Sequence, residues 1–157
     1  MLNVNIICVG KLKEKYWTQA VAEYEKRLKS FCKFKVIEVD EEKIPDNPSD
    51  SHILNTLEKE GKRIIKNIGK GAKVIPLCIE GKIVSSPELA NILDDTAVNG
   101  VSEIDFIIGG SWGLSDEVKA LAGFKLSMSK MTFPHRLARI MLLEQIYRAF
   151  KISQGGT

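Results

Sequence analysis

The sequence predicts an α/β protein with a mostly parallel β-sheet flanked by helices. Short apolar runs that end at turn residues alternate with segments whose apolar residues recur at spacings of three and four. These runs lack the alternation of a half-exposed strand, which indicates strands buried on both faces, as in parallel sheets. No repeat, low-complexity segment or linker divides the 157 residues, so we expect a single domain, residues 1–157.

The first half of the chain predicts two strands, each followed by a helix. Val4–Val9 and Phe34–Val39 read as strands, and the apolar spacing over Tyr16–Phe31 predicts the helix between them. Two prolines mark residues 40–51 as a loop. A charged helix with a narrow apolar stripe is expected over residues 51–67.

The second half repeats this alternation three more times. Ser85 and Glu88 have the spacing of a capping box and open one helix, and Ser115 caps a shorter one. The predicted elements are a strand at Lys73–Ile79, a turn at 80–82, a helix to about Asn99, strands at Ile104–Ile108 and Phe124–Met128, and a final helix from Pro134 to Phe150.

The final helix is apolar around nearly its whole circumference. Its apolar residues are Leu137, Ile140, Met141, Leu142, Leu143, Ile146, Tyr147 and Phe150. Such a helix is buried on more than one side. A second copy of the chain is the natural source of that second side in so small a domain, so we expect a homodimer; an ordinary core helix is the alternative.

The composition argues against a metal-binding, disulfide-stabilised, membrane or secreted protein. Three widely spaced cysteines and two distant histidines contain no CxxC pair or Cys/His cluster, so no metal site or disulfide frame is expected. No apolar run approaches the roughly 20 residues of a membrane span. The N-terminus reads as a first strand rather than a secretion signal, so we expect a cytoplasmic protein with no membrane association.

Basic residues cluster locally, although the net charge is only +3. Lys11, Lys13 and Lys15 follow the first strand, and Arg136, Arg139, Arg148 and Lys151 mark the C-terminal segment. Such clusters suit a nucleic-acid partner, and a solvated lysine-rich surface is the alternative.

The common nucleotide-binding motifs are missing, and the remaining candidates lie in the last third of the chain. Neither a Walker A motif nor a GxGxxG fingerprint is present. Gly109, Gly110 and Gly113 follow the fourth strand at its carboxyl end, where α/β sheets bind ligands; a tight turn is the other interpretation. Further on, Lys130, His135 and Arg136 form a second candidate, although a lone histidine is more often structural.

Four segments together resemble one family. They are Val9-Gly10-Lys11-Leu12-Lys13-Glu14-Lys15-Tyr16-Trp17, Ile108-Gly109-Gly110, Ser129-Lys130-Met131-Thr132-Phe133-Pro134-His135 and Glu144-Gln145-Ile146-Tyr147-Arg148-Ala149-Phe150-Lys151. In register and over essentially the whole chain, they resemble the ribosomal large-subunit methyltransferase H (RlmH) family of the SPOUT superfamily.

The resemblance implies a fold, a cofactor and a reaction. The fold is the SPOUT α/β-knot, which has a trefoil knot in its C-terminal part. The periodicity of apolar residues could not reveal such a knot. The knotted loops hold S-adenosylmethionine beside a homodimer interface. Carried onto this sequence, the cofactor pocket comprises Leu77, Gly109, Met128, Ser129, Lys130, Met131, Thr132 and Phe133. The reaction is methylation of N3 of a pseudouridine in the helix 69 loop of 23S rRNA, with the assembled 70S ribosome as substrate.

The chemistry requires a base and a cation. The imide N3–H must lose its proton, for which His135 is the candidate base. Arg148, and after it Arg136, is the candidate for stabilising the resulting anion. Family members end in a Tyr-His-Lys tail, whereas this chain ends at Gln154-Gly155-Gly156-Thr157. The histidine of that tail is the rival for the base. Two alternatives stay open: a SPOUT methyltransferase acting on another RNA such as tRNA, and a catalytically silent ribosome-binding homodimer.

Overall fold

The fold is a five-stranded parallel sheet between two layers of helices. The computed structural model describes residues 1–155; Gly156 and Thr157, the end of the segment compared with the family's tail, lie outside the described residues. The elements are β1 (Asn3–Val9), α1 (Lys15–Leu28), β2 (Lys33–Val39), α2 (Asp50–Ile65), β3 (Lys73–Ile83), α3 (Ser86–Val98), β4 (Glu103–Ile108), α4 (Asp116–Ala120), β5 (Leu126–Ser127) and α5 (His135–Ser153).

The strands lie in the order β2-β1-β4-β3-β5, and all the paired strands are parallel. Successive residues of β1 enter opposite cores: Ile6 packs beneath α1, α3 and α5, whereas Ile7 packs beneath α2 and α4. Phe106 and Ile107 of β4 divide in the same way. Burial on both faces explains the unbroken apolar runs, since each buried large side chain stabilises the fold by about 1.5–3 kcal/mol. The predicted fold class is confirmed.

The turn predicted at residues 80–82 is wrong. β3 continues to Ile83, and its outer half pairs with β5 through Lys82–Leu126 and Ile83–Ser127. A side chain at position 81 would lie 2.7 Å from the backbone carbon of Leu126, so glycine is required there by the close approach of β5. β5 itself has two residues where residues 124–128 were predicted.

Helix boundaries follow the predicted signals closely. Ser85 and Glu88 form a reciprocal capping box before α3, and the Ser115 hydroxyl accepts a hydrogen bond from the Val118 amide at the start of α4. α5 begins directly after Pro134. Within residues 1–155, no helix is long and apolar enough to cross a membrane. The trefoil knot stays a prediction.

Candidate functional site

A small cavity opens beside the outer strands of the sheet. We call it the β5 cavity; it has a volume of about 130 Å³. It is lined by Leu77, Cys78, Ile79, Leu126, Ser127, Met128, Ser129, Met131, Thr132, Phe133 and Ala138. The strands β3 and β5, the loop after β5 and the start of α5 therefore build it together.

Six of the eight residues predicted to hold a cofactor line this cavity. They are Leu77, Met128, Ser129, Met131, Thr132 and Phe133. Lys130 belongs to the same loop but is exposed and absent from the lining, and Gly109 does not line it either. Residues more than fifty positions apart in sequence are thus brought to one place because β5 lies next to β3.

Hydrogen bonds from two serines shape the loop after β5. The buried Ser127 hydroxyl donates to the Ser129 carbonyl at 3.1 Å. The Ser129 hydroxyl in turn accepts from the Met131 amide at 3.0 Å. Met131 is left 74% exposed at the mouth of the cavity, so a large apolar side chain is available there to contact a ligand.

The glycine loop after β4 is a tight turn. Gly110 and Gly113 pair with each other, and Gly113 has a positive φ of 90°. A side chain at Gly109 would overlap the Gly113 carbonyl group, so glycine is required there by the turn itself. Substitution of Gly109 by valine would therefore disturb the turn, which makes it a poor test of ligand approach.

A second depression lies at the carboxyl ends of β1 and β2. We call it the basic cleft; its volume is about 460 Å³. It is lined by Gly10, Lys11, Leu12, Lys13, Asp40, Glu41, Arg63, His135, Arg136 and Arg139. Two of the predicted catalytic residues, His135 and Arg136, therefore lie in one cleft with Lys11 and Lys13 of the first basic cluster.

The environment of His135 keeps its imidazole neutral. Burial lowers the pKa of His135 from its usual 6.5, and the Arg136 guanidinium lowers it further; the Glu41 carboxylate opposes them. A neutral imidazole has a free nitrogen lone pair, so His135 can accept a proton at pH 7.

A buried arginine joins the parts of the basic cleft. Arg139, 1% exposed, donates to Glu38 Oε2 at 2.6 Å and to the Gly10 carbonyl at 3.2 Å. The same Glu38 oxygen accepts from the Leu12 amide at 3.1 Å. The loop after β1 is thereby tied to β2 and to the helix that begins at His135.

The start of α5 forms a wall of both depressions. Ala138 faces the β5 cavity, whereas His135, Arg136 and Arg139 face the basic cleft. A group held in the β5 cavity and a second molecule in the basic cleft would thus be separated by no more than the first turns of one helix.

Arg148 lies apart from these residues. It is thirteen residues beyond His135 on α5, which corresponds to about 20 Å along the helix axis. Its Nε donates to Glu144 at 3.1 Å, and its side chain is 51% exposed. One chain therefore does not bring Arg148 together with His135.

A third depression runs along the side of α5. We call it the α5 groove; it measures about 420 Å³ and is lined by Val84, Ser85, Ser86, Leu89, Leu126, Ser127, Met128, Ile140, Met141, Glu144 and Gln145. Its apolar side chains Ile140 and Met141 are half-buried. Three residues, Leu126, Ser127 and Met128, line both the α5 groove and the β5 cavity.

Across residues 1–155, no group of three His, Cys, Asp or Glu side chains is placed to hold a metal ion. The sequence model of the family described as "Predicted SPOUT methyltransferase" matches residues 2–157. The chain belongs to the SPOUT methyltransferase family. It is therefore an enzyme that transfers methyl groups.

Curated relatives are similar to this SPOUT methyltransferase over nearly its whole length. The chain is 51% identical over 154 residues to ribosomal RNA large subunit methyltransferase H of Clostridium novyi, covering 98% of this chain and 97% of that protein. It is 50% identical, with the same coverage, to the protein of that name from Clostridioides difficile. These relatives place it in the methyltransferase H group that the four sequence segments resemble.

Solved structures support the fold. A probable methylase family protein from Haemophilus influenzae aligns with 97% of this chain and 68% of its own, with a TM-score of 0.55 and 13% identity. The tRNA (m1G37) methyltransferase of Aquifex aeolicus covers 94% of this chain and 69% of its own, with a TM-score of 0.52 and 14% identity. At such low identity, the likeness concerns the fold alone.

Proposed function

We propose that this SPOUT methyltransferase uses S-adenosylmethionine to methylate N3 of a pseudouridine in the helix 69 loop of 23S rRNA. Its substrate is the assembled 70S ribosome, and it acts as a homodimer in the cytoplasm. The observation that carries the proposal is the β5 cavity, where six predicted cofactor residues meet against α5, the helix whose first residue is His135. The names of relatives at about half identity over the whole chain support an rRNA substrate.

The lining of the β5 cavity fits S-adenosylmethionine. Leu77, Met128 and Phe133 offer apolar walls to an adenine ring. When bound, the cofactor supplies an electrophilic methyl group. At about 130 Å³ the cavity is smaller than the roughly 300–1,000 Å³ typical of small-molecule sites. We therefore assign only part of the cofactor pocket to the β5 cavity itself, and we place Gly109 and Lys130 in the rest of it.

A partner subunit on the α5 groove would complete the site. The groove adjoins the β5 cavity through Met128, and its half-buried Ile140 and Met141 are apolar surface suited to a symmetric contact. Arg148 lies about 20 Å from His135 on its own helix, so its catalytic role requires a partner whose α5 runs in the opposite direction. We therefore assign each site His135 from one subunit and Arg148 from the other.

The residues of this chain perform three tasks. The β5 cavity orients the donor, so that the transfer becomes effectively intramolecular. Neutral His135 accepts the N3 proton of the target base. Arg148, with Arg136 as the second candidate, stabilises the anion that remains. A base in a loop costs less to extrude toward His135 than a paired base does.

Transfer of a labelled methyl group tests the proposal. Wild-type protein would be incubated with labelled S-adenosylmethionine and, in parallel, 70S ribosomes, free subunits or tRNA. We expect label in 23S rRNA from 70S ribosomes alone. Label in tRNA would establish the alternative substrate, and tight ribosome binding without transfer would establish a silent binding protein.

A further inference from the structure

The basic cleft contains cations that no carboxylate neutralises. Arg63 pairs with Glu42, and Arg139 pairs with Glu38. In contrast, Lys11, Lys13 and Arg136 form no ion pair with any acidic side chain of residues 1–155. Lys11, Lys13 and Arg136 are also exposed, so their charges face the solvent in the cleft.

The walls that hold these three cations are fixed by hydrogen bonds. Arg139 and Glu38 tie the loop bearing Lys11 to the helix bearing Arg136. On the far side, Arg63 donates to the Asp40 carbonyl at 3.0 Å and fixes the loop after β2. Cations on a preorganised surface lose less entropy when an anion binds than mobile surface lysines do.

The buried guanidinium of Arg139 has a hydrogen-bond donor to spare. Its Nε is buried and has no hydrogen-bond partner among the described residues. Glu38 and Gly10 use its two terminal nitrogens. An unsatisfied buried donor is uncommon in folded proteins. Because this nitrogen is inaccessible, Arg139 serves the cleft by holding its walls rather than by contacting an anion.

We infer that the basic cleft binds the RNA backbone, with phosphate oxygens held by Lys11, Lys13 and Arg136 and the target base directed toward His135. The inference rests on the proposed function, because it names where the RNA substrate of that site docks. Asp40 and Glu41 also line the cleft and would repel a phosphate. Both follow β2, so we place the phosphates against the opposite wall, formed by the loop after β1 and the start of α5.

The salt dependence of RNA binding tests the inference. Binding of a labelled RNA hairpin and of 70S ribosomes would be measured from 50 to 200 mM KCl. Each phosphate contact contributes roughly 0.7–0.9 to the slope of log K against log salt. We expect the double variant Lys11→Ala/Lys13→Ala to lower the slope by about 1.5 and the affinity about tenfold or more near physiological salt. Lys11→Arg/Lys13→Arg should restore both.

The matched control removes the same charge from the opposite end of the sheet, where the strand β3 begins. Lys66 and Lys70 are exposed and lie between α2 and β3, at the end where β3 begins. Lys66→Ala/Lys70→Ala should leave the slope within about 0.3 of wild type, because screened charges far from a contact release no bound counterions. Asp40→Asn should tighten binding by removing a repelling charge.

The outcomes separate this inference from the proposed function. A Lys11→Ala/Lys13→Ala protein with the wild-type slope, or a control variant with an equal loss, overturns the cleft as the RNA site. This holds whether or not methyl transfer occurs. A wild-type protein that transfers no methyl group to ribosomes, yet loses slope with the double variant, contradicts the proposed reaction and retains the cleft.

Discussion

Ala138 offers a direct test of the β5 cavity as the cofactor site. Its methyl group lines the cavity from the first turns of α5. Ala138→Leu adds three carbon atoms, which occupy roughly 90 Å³ at about 30 Å³ for each water-sized group. That is most of the cavity's volume of about 130 Å³. A ligand displaced by these atoms loses about 25 cal/mol for each Å² of apolar surface that it can no longer bury, so roughly 55 Å² corresponds to about 1.4 kcal/mol, or tenfold in affinity.

Calorimetric titration with S-adenosylmethionine measures the effect. We expect Ala138→Leu to bind at least about tenfold more weakly than wild type while remaining folded, because the added atoms enter a cavity. Ala97→Leu adds the same atoms on the exposed face of α3 and serves as the control, with unchanged affinity. Wild-type affinity in a well-folded Ala138→Leu protein would refute the placement of the cofactor.

Four further predictions concern catalysis and assembly. His135→Ala should slow methyl transfer by about 100-fold or more. Because burial lowers the pKa of His135, the wild-type rate should rise with pH to a plateau reached by neutral pH. The defect of the variant should shrink at high pH, where solvent deprotonates the imide. Parallel pH–rate profiles of the two proteins would exclude His135 as the base. Arg148→Ala should show a defect that persists at high pH. A 1:1 mixture of the two variants, refolded together, should recover about a quarter of wild-type activity, since half the dimers are mixed and each has one intact site; no recovery would contradict a shared site. Wild-type protein should sediment as a dimer at micromolar concentration, and Met141→Arg should shift it to monomer; a wild-type monomer would contradict the assembly.

The sequence was sufficient for the fold class because its signals are local. The unbroken apolar run of β1 and the capping box at Ser85 depend on neighbours in the chain, and both appear where predicted. The outer half of β3 was missed because Gly81 resembles a turn residue in sequence. Glycine is needed at position 81 because the backbone of β5, more than forty residues later in the chain, passes close to it.

Only those parts of the candidate site that have local sequence signals could be predicted. The segment from Met128 to Phe133 stood out by its composition and by its resemblance to the family, and five of its six residues line the β5 cavity. Ala138 gave no signal, since a small apolar residue on an apolar helix is unremarkable. Arg139 was visible as a charge, but its burial against Glu38 depends on a pairing 101 residues apart. The distance between His135 and Arg148 emerges only once both are placed on one helix.

The central claim is the identity of the modified atom. Ribosomes lacking the modification would be treated with the protein and S-adenosylmethionine, and their 23S rRNA digested and analysed by mass spectrometry. The account predicts one added methyl group on a pseudouridine of the helix 69 loop, at N3. A methyl group on another nucleotide, or on another atom of that base, would contradict it.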